Sequence, residues 1–143
     1  MKSIVLIAFF FLTMSMSYGQ TQDMDITGTW LNDKKDAHVE IYQKEGKFYG
    51  KIVWLQEPNT TNGEPKTDKN NPKKSLRNRK ILGIDIISDL YFNGHIWEDG
   101  TVYLPKKGQE ANCSVKISDD QKELTLHITK LWFSTDITWT RLK

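Results

Sequence analysis

Gly28-Thr29-Trp30 stands near the beginning of the chain and Trp139-Thr140-Arg141 near its end. Between them run short stretches in which apolar and polar residues alternate. A Trp in the first stretch and an Arg in the last suggest a closed antiparallel barrel. In such a barrel the first and last strands meet, and a guanidinium can lie over the indole face. Trp30 and Arg141 are therefore the expected closure pair. A closed small barrel has an interior, and an interior is where a ligand could sit.

Working outward from these ends, residues 26–32 read as a first strand and 37–44 as a second, with Val39 and Ile41 on one face and His38, Glu40 and Tyr42 on the other. Glu45-Gly46 makes a tight turn. Residues 47–56 form a long aromatic strand, with Phe48, Ile52 and Trp54 on one side and Tyr49, Val53 and Leu55 on the other. Such a strand is buried on both faces or lines a pocket. Gly50 within it marks a bend or a close backbone approach. Further strands are expected at 81–88, 94–98 and 101–104, with a turn at Asp99-Gly100. Residues 111–118 carry Cys113, Val115 and Ile117 inward, 123–130 carry Leu124, Leu126 and Ile128 inward, and 135–142 end the chain. Short strands punctuated by turn residues predict an all-β fold. The expected form is a small up-and-down antiparallel barrel of about eight strands, with no helical period and no internal repeat.

The first residues read differently. Met1-Lys2-Ser3 is followed by the apolar run 4–12, then by Ser17-Tyr18-Gly19, small residues three and one before a cut that leaves Gln20 first. This is the pattern of a secretory signal peptide over 1–19. The run is short of the roughly 20 residues a membrane span needs. An uncleaved N-terminal anchor is the competing reading. The expected mature chain, 20–143, is one domain with a real core, secreted to the periplasm or the extracellular space, with no membrane span after cleavage. It carries 19 basic and 18 acidic side chains, against a net +2 for the whole sequence. Near-neutrality argues against a general nucleic-acid binder. One cysteine, Cys113, excludes an internal disulfide. Its strand parity makes it a buried, inert thiol.

The exception to the strand pattern is 57–80, a polar loop with Pro58, Pro65 and Pro72. Residues 64–80 hold seven basic and two acidic side chains, net +5, which leaves −4 for the rest of the mature chain. Loops this long are usually functional or mobile. A solvated charged loop is one reading, and an anion site with Arg77 and Arg79 pointing the same way is the other. Aromatics are not interleaved, which disfavours nucleic acid. Asn71 before Pro72 is held extended and can cap a turn. Asp68 can accept backbone N–H bonds or pair with Arg77 or Arg79. Asp68, Asn71 and Pro72 thus read as a clasp holding the loop over one barrel mouth, with direct ligand contact as the competing reading.

Taken in order, Gly28-Thr29-Trp30, Asp68-Lys69-Asn70-Asn71-Pro72, Leu76-Arg77-Asn78-Arg79, Leu82-Gly83, Trp97 with Gly100, Tyr103-Leu104-Pro105, Gly108 and Trp139-Thr140-Arg141 resemble the bacterial secreted family called domain of unknown function 2147. The resemblance covers roughly 28–141. It implies fold and compartment, since the family name assigns no activity. The family's Tyr-Asp-Pro is Tyr103-Leu104-Pro105 here, and its Gly-Lys-x-Tyr is Gly108-Gln109-Glu110-Ala111, so an acid and an aromatic are lost. The Trp-and-Arg closure also resembles lipocalin (calycin) barrels, an analogy of fold alone.

Catalytic patterns are sparse. His38, His95 and His127 lie on separate strands without metal-ligand spacing. No Gly-x-Ser-x-Gly or Ser-x-x-Lys occurs. The chain reads as a non-enzyme, with no cofactor and no metal. Its first expected function is a secreted or periplasmic binding protein holding a small apolar or amphipathic molecule. Phe48, Tyr49, Trp54, Trp97 and Tyr103 would form the aromatic wall, and Arg77 and Arg79 would meet an anionic group. The alternative is a cell-envelope interaction protein with a filled barrel and no ligand, docking onto a protein partner through the loop or through Trp132-Phe133, aromatics expected in the turn before the last strand. A weaker alternative is an envelope hydrolase.

Overall fold

The computed structural model describes residues 23–142, so the signal peptide expected over 1–19 lies outside the described residues. Eight strands follow in chain order: β1 (Gly28–Leu31), β2 (Ala37–Lys44), β3 (Lys47–Leu55), β4 (Asp85–Phe92), β5 (Trp97–Leu104), β6 (Gln109–Ile117), β7 (Glu123–Lys130) and β8 (Phe133–Arg141). Each pairs antiparallel with the next, and β8 returns to β1, closing the barrel. No helix among the described residues is long and apolar enough to cross a membrane.

The seam between β1 and β8 is short, with only Trp30 opposite Arg141 and Leu31 opposite Thr140. Side chains reinforce it. The Arg141 guanidinium carbon lies 4.2 Å from the centroid of the Trp30 ring. Its Nε donates to the Gln121 carbonyl at 2.6 Å, and its two terminal nitrogens donate to the carbonyls of Thr27 at 2.8 Å and Asp25 at 2.5 Å. The Trp30 indole N–H donates to the Ile26 carbonyl at 2.9 Å. Ile26, expected in the first strand, instead precedes it and is fully buried as part of the core.

Inward-facing residues form one core of fifteen buried side chains, including Trp30, Trp97, Trp139, Leu90, Leu124 and Leu126. The barrel interior is therefore occupied by the protein's own side chains. Cys113 belongs to this core, and burial pushes its thiol up to about 12. Two donors there, the Trp97 and Trp139 indole nitrogens, have no hydrogen-bond partner among the described residues.

Three local readings are corrected by the backbone. Asp99-Gly100 is not a turn. β4 runs on to Phe92, the reversal comes at 93–96, and β5 passes straight through Asp99. Asp99 uses its tolerance of positive φ (60°) for a bulge, seen as a register shift against β6 between Trp97 and Gly100. Gly100 is required there because a Cβ would lie 2.5 Å from Leu90 Cδ2. In β3 a second bulge shifts the register against β2 between His38 and Val39, so Val39 faces Ile52 while His38 faces Trp54. Side-chain parity reverses across it. The last strand also starts earlier than expected, at Phe133, leaving Leu131 and Trp132 as the hairpin turn.

We expect Arg141→Ala to lose the cation–π contact and three hydrogen bonds at the seam. Their combined loss should cost about 2–3 kcal/mol and lower the urea midpoint in equilibrium unfolding. Gly100→Ala should cost about 1–3 kcal/mol by overpacking Leu90, read the same way.

Candidate functional site

The loop between β3 and β4 contains the strongest polar network described. Its backbone is organised by isolated bridges at Asn59–Pro65 and Thr67–Lys80 and by a 3-10 turn at Lys74–Leu76. Asp68 is fully buried. A carboxylate taken out of water must be met by donors and positive charge, and three hydrogen bonds and an ion-pair contact do this. Tyr103 Oη donates to Oδ1 at 2.6 Å, while Asn71 Nδ2 at 2.8 Å, Arg79 Nε at 3.0 Å and Arg79 Nη2 at 2.9 Å converge on Oδ2. The backbone doubles the link: the Asp68 N–H donates to the Arg79 carbonyl and the Asn71 N–H to the Asp68 carbonyl. Arg77 Nε donates to the Asn71 carbonyl at 2.7 Å.

Asp68 and Asn71 are thus joined in a clasp, completed by Arg79 and Tyr103, with exposed Pro72 following it. The clasp holds the loop to β5. Adjacent strand residues point to opposite faces, and both Val102 and Tyr103 are buried. Val102 enters the barrel core, while Tyr103 lies beneath the loop in a second apolar cluster with Ile52 and Ile84. The loop also docks on the β5–β6 turn: Asn70 Nδ2 donates to the Lys106 carbonyl at 2.9 Å, and Gly108 (φ 60°) lies so close to the Asn70 backbone that any Cβ would collide with its oxygen.

The expected aromatic wall does not assemble. Trp97 is in the core, with Phe48 edge-on to it at 6.0 Å and Phe92 tilted against it at 4.5 Å. Trp54, turned out by the β3 bulge, is 40% exposed and stacks on His38 at 4.2 Å. Tyr49 also faces outward, stacking on Tyr42 and donating to Asp89 Oδ1 at 3.1 Å. Tyr103 belongs to the clasp. The expected pairing of Arg77 and Arg79 as an anion fork is likewise corrected. Arg79 is neutralised by Asp68, because the buried carboxylate needs a cation, and Arg77 is turned to the loop's own backbone. No spacing rule in the sequence links Tyr103 to Asp68, 35 residues away; only the folded loop does.

Two open grooves mark the outer surface. One, of about 400 Å³, lies at the loop-bearing end, lined by Pro72, Lys73, Leu76, Tyr103, Glu110 and Lys130 among others. The other, of about 410 Å³, lies on the wall of β5, β6 and β7, lined by Glu98, Asp99, Asn112, Ser114, His127 and Thr129 among others. Beside it His127 Nδ1 meets Asp136 Oδ1 across β7 and β8 at 2.5 Å, an exposed pair that the sequence did not suggest. His95 is exposed, its backbone N–H bonded to Asn93 Oδ1 in the β4–β5 turn. No group of three or more His, Cys, Asp or Glu among the described residues could hold a metal ion.

A family model described as an uncharacterized protein conserved in bacteria (DUF2147) matches residues 28–141, and the chain belongs to that family. Among solved structures, protein HP1028 from the human pathogen Helicobacter pylori, described as belonging to the lipocalin family, superposes with a TM-score of 0.73 at 25% identity, over 84% of each chain. The closed eight-strand barrel is thus lipocalin-like. No curated protein matches the chain.

Two outcomes follow from the clasp. Asp68→Ala leaves Arg79 and Tyr103 without their shared partner, and breaking such a buried pair should cost about 3 kcal/mol. Limited trypsin digestion should then cut among the lysines and arginines of 66–80 well before the wild-type loop is cut. Burial first, and the hydrogen bond to Asp68 second, push the Tyr103 hydroxyl up to about 12 from 10. The folded chain keeps this proton where the unfolded chain releases it. The resulting stability is intact below pH 10 and is lost as pH rises toward 12. Tyr42, also pushed up to about 12 by burial and by Asp85, contributes likewise. Tyr103→Phe should therefore make the alkaline fall of the urea midpoint shallower without abolishing it.

Proposed function

We propose that this chain is an exported, lipocalin-like binding protein that takes a small amphipathic anion in the groove at its loop-bearing end rather than inside the barrel. The observation that carries the reading is the groove itself. Its volume of about 400 Å³ lies in the range of small-molecule sites. Pro72, Leu76 and Tyr103 offer apolar surface, and Lys73 and Lys130 offer two cations against the single carboxylate of Glu110. A carboxylate or phosphate would sit by the lysines with its hydrocarbon body along Pro72 and Leu76. The occupied core argues against an interior site. The clasp supports the groove, because it holds one wall in place before a ligand arrives and so lowers the ordering cost of binding. The leader pattern of 1–19 supports export to the periplasm or outside the cell.

A second reading, an envelope interaction protein with a filled barrel, is favoured by one observation: Leu131, Trp132 and Phe133 are all exposed, Trp132 at 92%.

Native mass spectrometry of the processed protein recovered from cells, followed by titration with dodecanoate and dodecyl phosphate, tests the groove. Saturable one-to-one binding is expected, weakened about tenfold or more by Lys73→Ala with Lys130→Ala. Binding unchanged in that double variant, or no binding of either probe, would overturn the proposal.

A further inference from the structure

The β7–β8 hairpin is closed by a two-residue turn, Leu131-Trp132, with Lys130 paired to Phe133 at its base. A turn this tight is ordinarily made of small or polar residues. Here it carries two of the bulkiest apolar side chains, and Leu131 is held at φ 53°, a left-handed conformation unfavourable for a side chain of its size. Leu131 is 85%, Trp132 92% and Phe133 58% exposed. Nothing in the barrel gains from them: none belongs to either apolar cluster. Turn geometry, hydration and core packing all argue against these residues here, so their contribution to the folded chain is not stability.

The surrounding charge points to the partner. The up-and-down order brings four connections, with the strand residues flanking the last two, to one end of the barrel: 32–36, 56–84, 105–110 and 130–133. They hold twelve basic and six acidic side chains, net +6. The remainder of 23–142 holds six basic and twelve acidic, net −6. The near-neutral total thus conceals a strong polarity between the loop-bearing end and the rest. Lys69, Lys73, Lys74, Lys80, Lys107 and Lys130 form no ion pair among the described residues. Lys130 and Lys73 line the same groove, so the hairpin tip and the basic loop are neighbours.

We propose that this end docks on an anionic lipid surface, with Leu131, Trp132 and Phe133 inserted among the headgroups and the free lysines held over them. The tip alone presents less than the roughly 800 Å² per partner of a stable protein interface, so a protein partner would have to draw on the surrounding loops as well. The tip is well suited to a bilayer, which parts around it and requires no complementary pocket. Trp favours the headgroup region, and each lysine near an anionic surface strengthens the attraction to it. The opposite sign on the rest of the molecule turns the same end toward the membrane before contact. Docking stands on the hairpin and the peripheral lysines, so it does not require a ligand in the groove.

The test is sedimentation of the processed protein, its N-terminus confirmed by mass, with vesicles of phosphatidylglycerol and phosphatidylethanolamine and with vesicles of phosphatidylcholine alone. Binding to the first, weakened by salt and accompanied by a blue shift of tryptophan fluorescence, is expected. Trp132→Ser with Phe133→Ser should lose the shift and bind about tenfold or more weakly, with an unchanged urea midpoint because these side chains are exposed. Lys74→Glu with Lys107→Glu should weaken binding to the anionic vesicles. Three results would overturn the proposal: no sedimentation with anionic vesicles, equal binding to both kinds of vesicle, or full binding by the Trp132 and Phe133 variant. None of these would affect dodecyl phosphate binding at Lys73 and Lys130, which tests the groove separately.

Discussion

Closure of the barrel depends on one guanidinium. β1 is four residues long and meets β8 through two residue pairs, far fewer than the eight that join β7 to β8. Backbone pairing at the seam is therefore weak by comparison with the rest of the wall. Arg141 compensates by acting in three directions at once. It covers the face of Trp30, donates to carbonyls of the entering segment at Asp25 and Thr27, and donates to Gln121 in the turn between β6 and β7. Trp30 in turn fixes Ile26 through its indole N–H. With the seam closed, no strand edge is left open to pair with another chain, and the fifteen-residue core is sealed at that end. Arginine suits this position because its planar fork can donate in several directions while stacking on an aromatic face.

A second constraint, the buried carboxylate of Asp68, organises the other end. Burying an anion is costly unless donors and a cation surround it. That requirement draws Arg79 out of the basic loop, brings Tyr103 up from the barrel wall and fixes the backbone around Asn71. A long polar segment that would otherwise gain little from folding is thereby held in one conformation. The clasp also sorts the loop's charges. Arg79 is spent on the structure, while Lys69, Lys73, Lys74 and Lys80 form no ion pair among the described residues. The positive field of this end is what remains after that internal neutralisation.

These two constraints divide the molecule. The interior, filled by Trp30, Trp97, Trp139 and their aliphatic neighbours, supplies stability. The loop-bearing end gathers a groove, lysines and an exposed aromatic hairpin tip.

An antiparallel barrel of about eight strands, the inward stripes of β6 and β7 and the meeting of Trp30 with Arg141 were legible in the sequence, because each follows from period-two alternation or from the ends of a closed sheet. The clasp was legible in part: Asp68, Asn71 and the basic neighbours are close in sequence, so a local network could be anticipated. Its partner Tyr103 could not, since the link crosses from loop to barrel. Side-chain facing failed where a bulge intervened. A single extra residue reverses parity, so Trp54 moved outside, and the Asp99-Gly100 pair that resembles a hairpin turn became a bulge within β5. What the sequence by itself determined is what local periodicity and composition encode: an all-β chain, its approximate strand count and its basic loop. Only the tertiary structure decided that the interior is occupied, that Arg79 is neutralised and that the positive charge gathers at one end, because each depends on which distant residues share the same space.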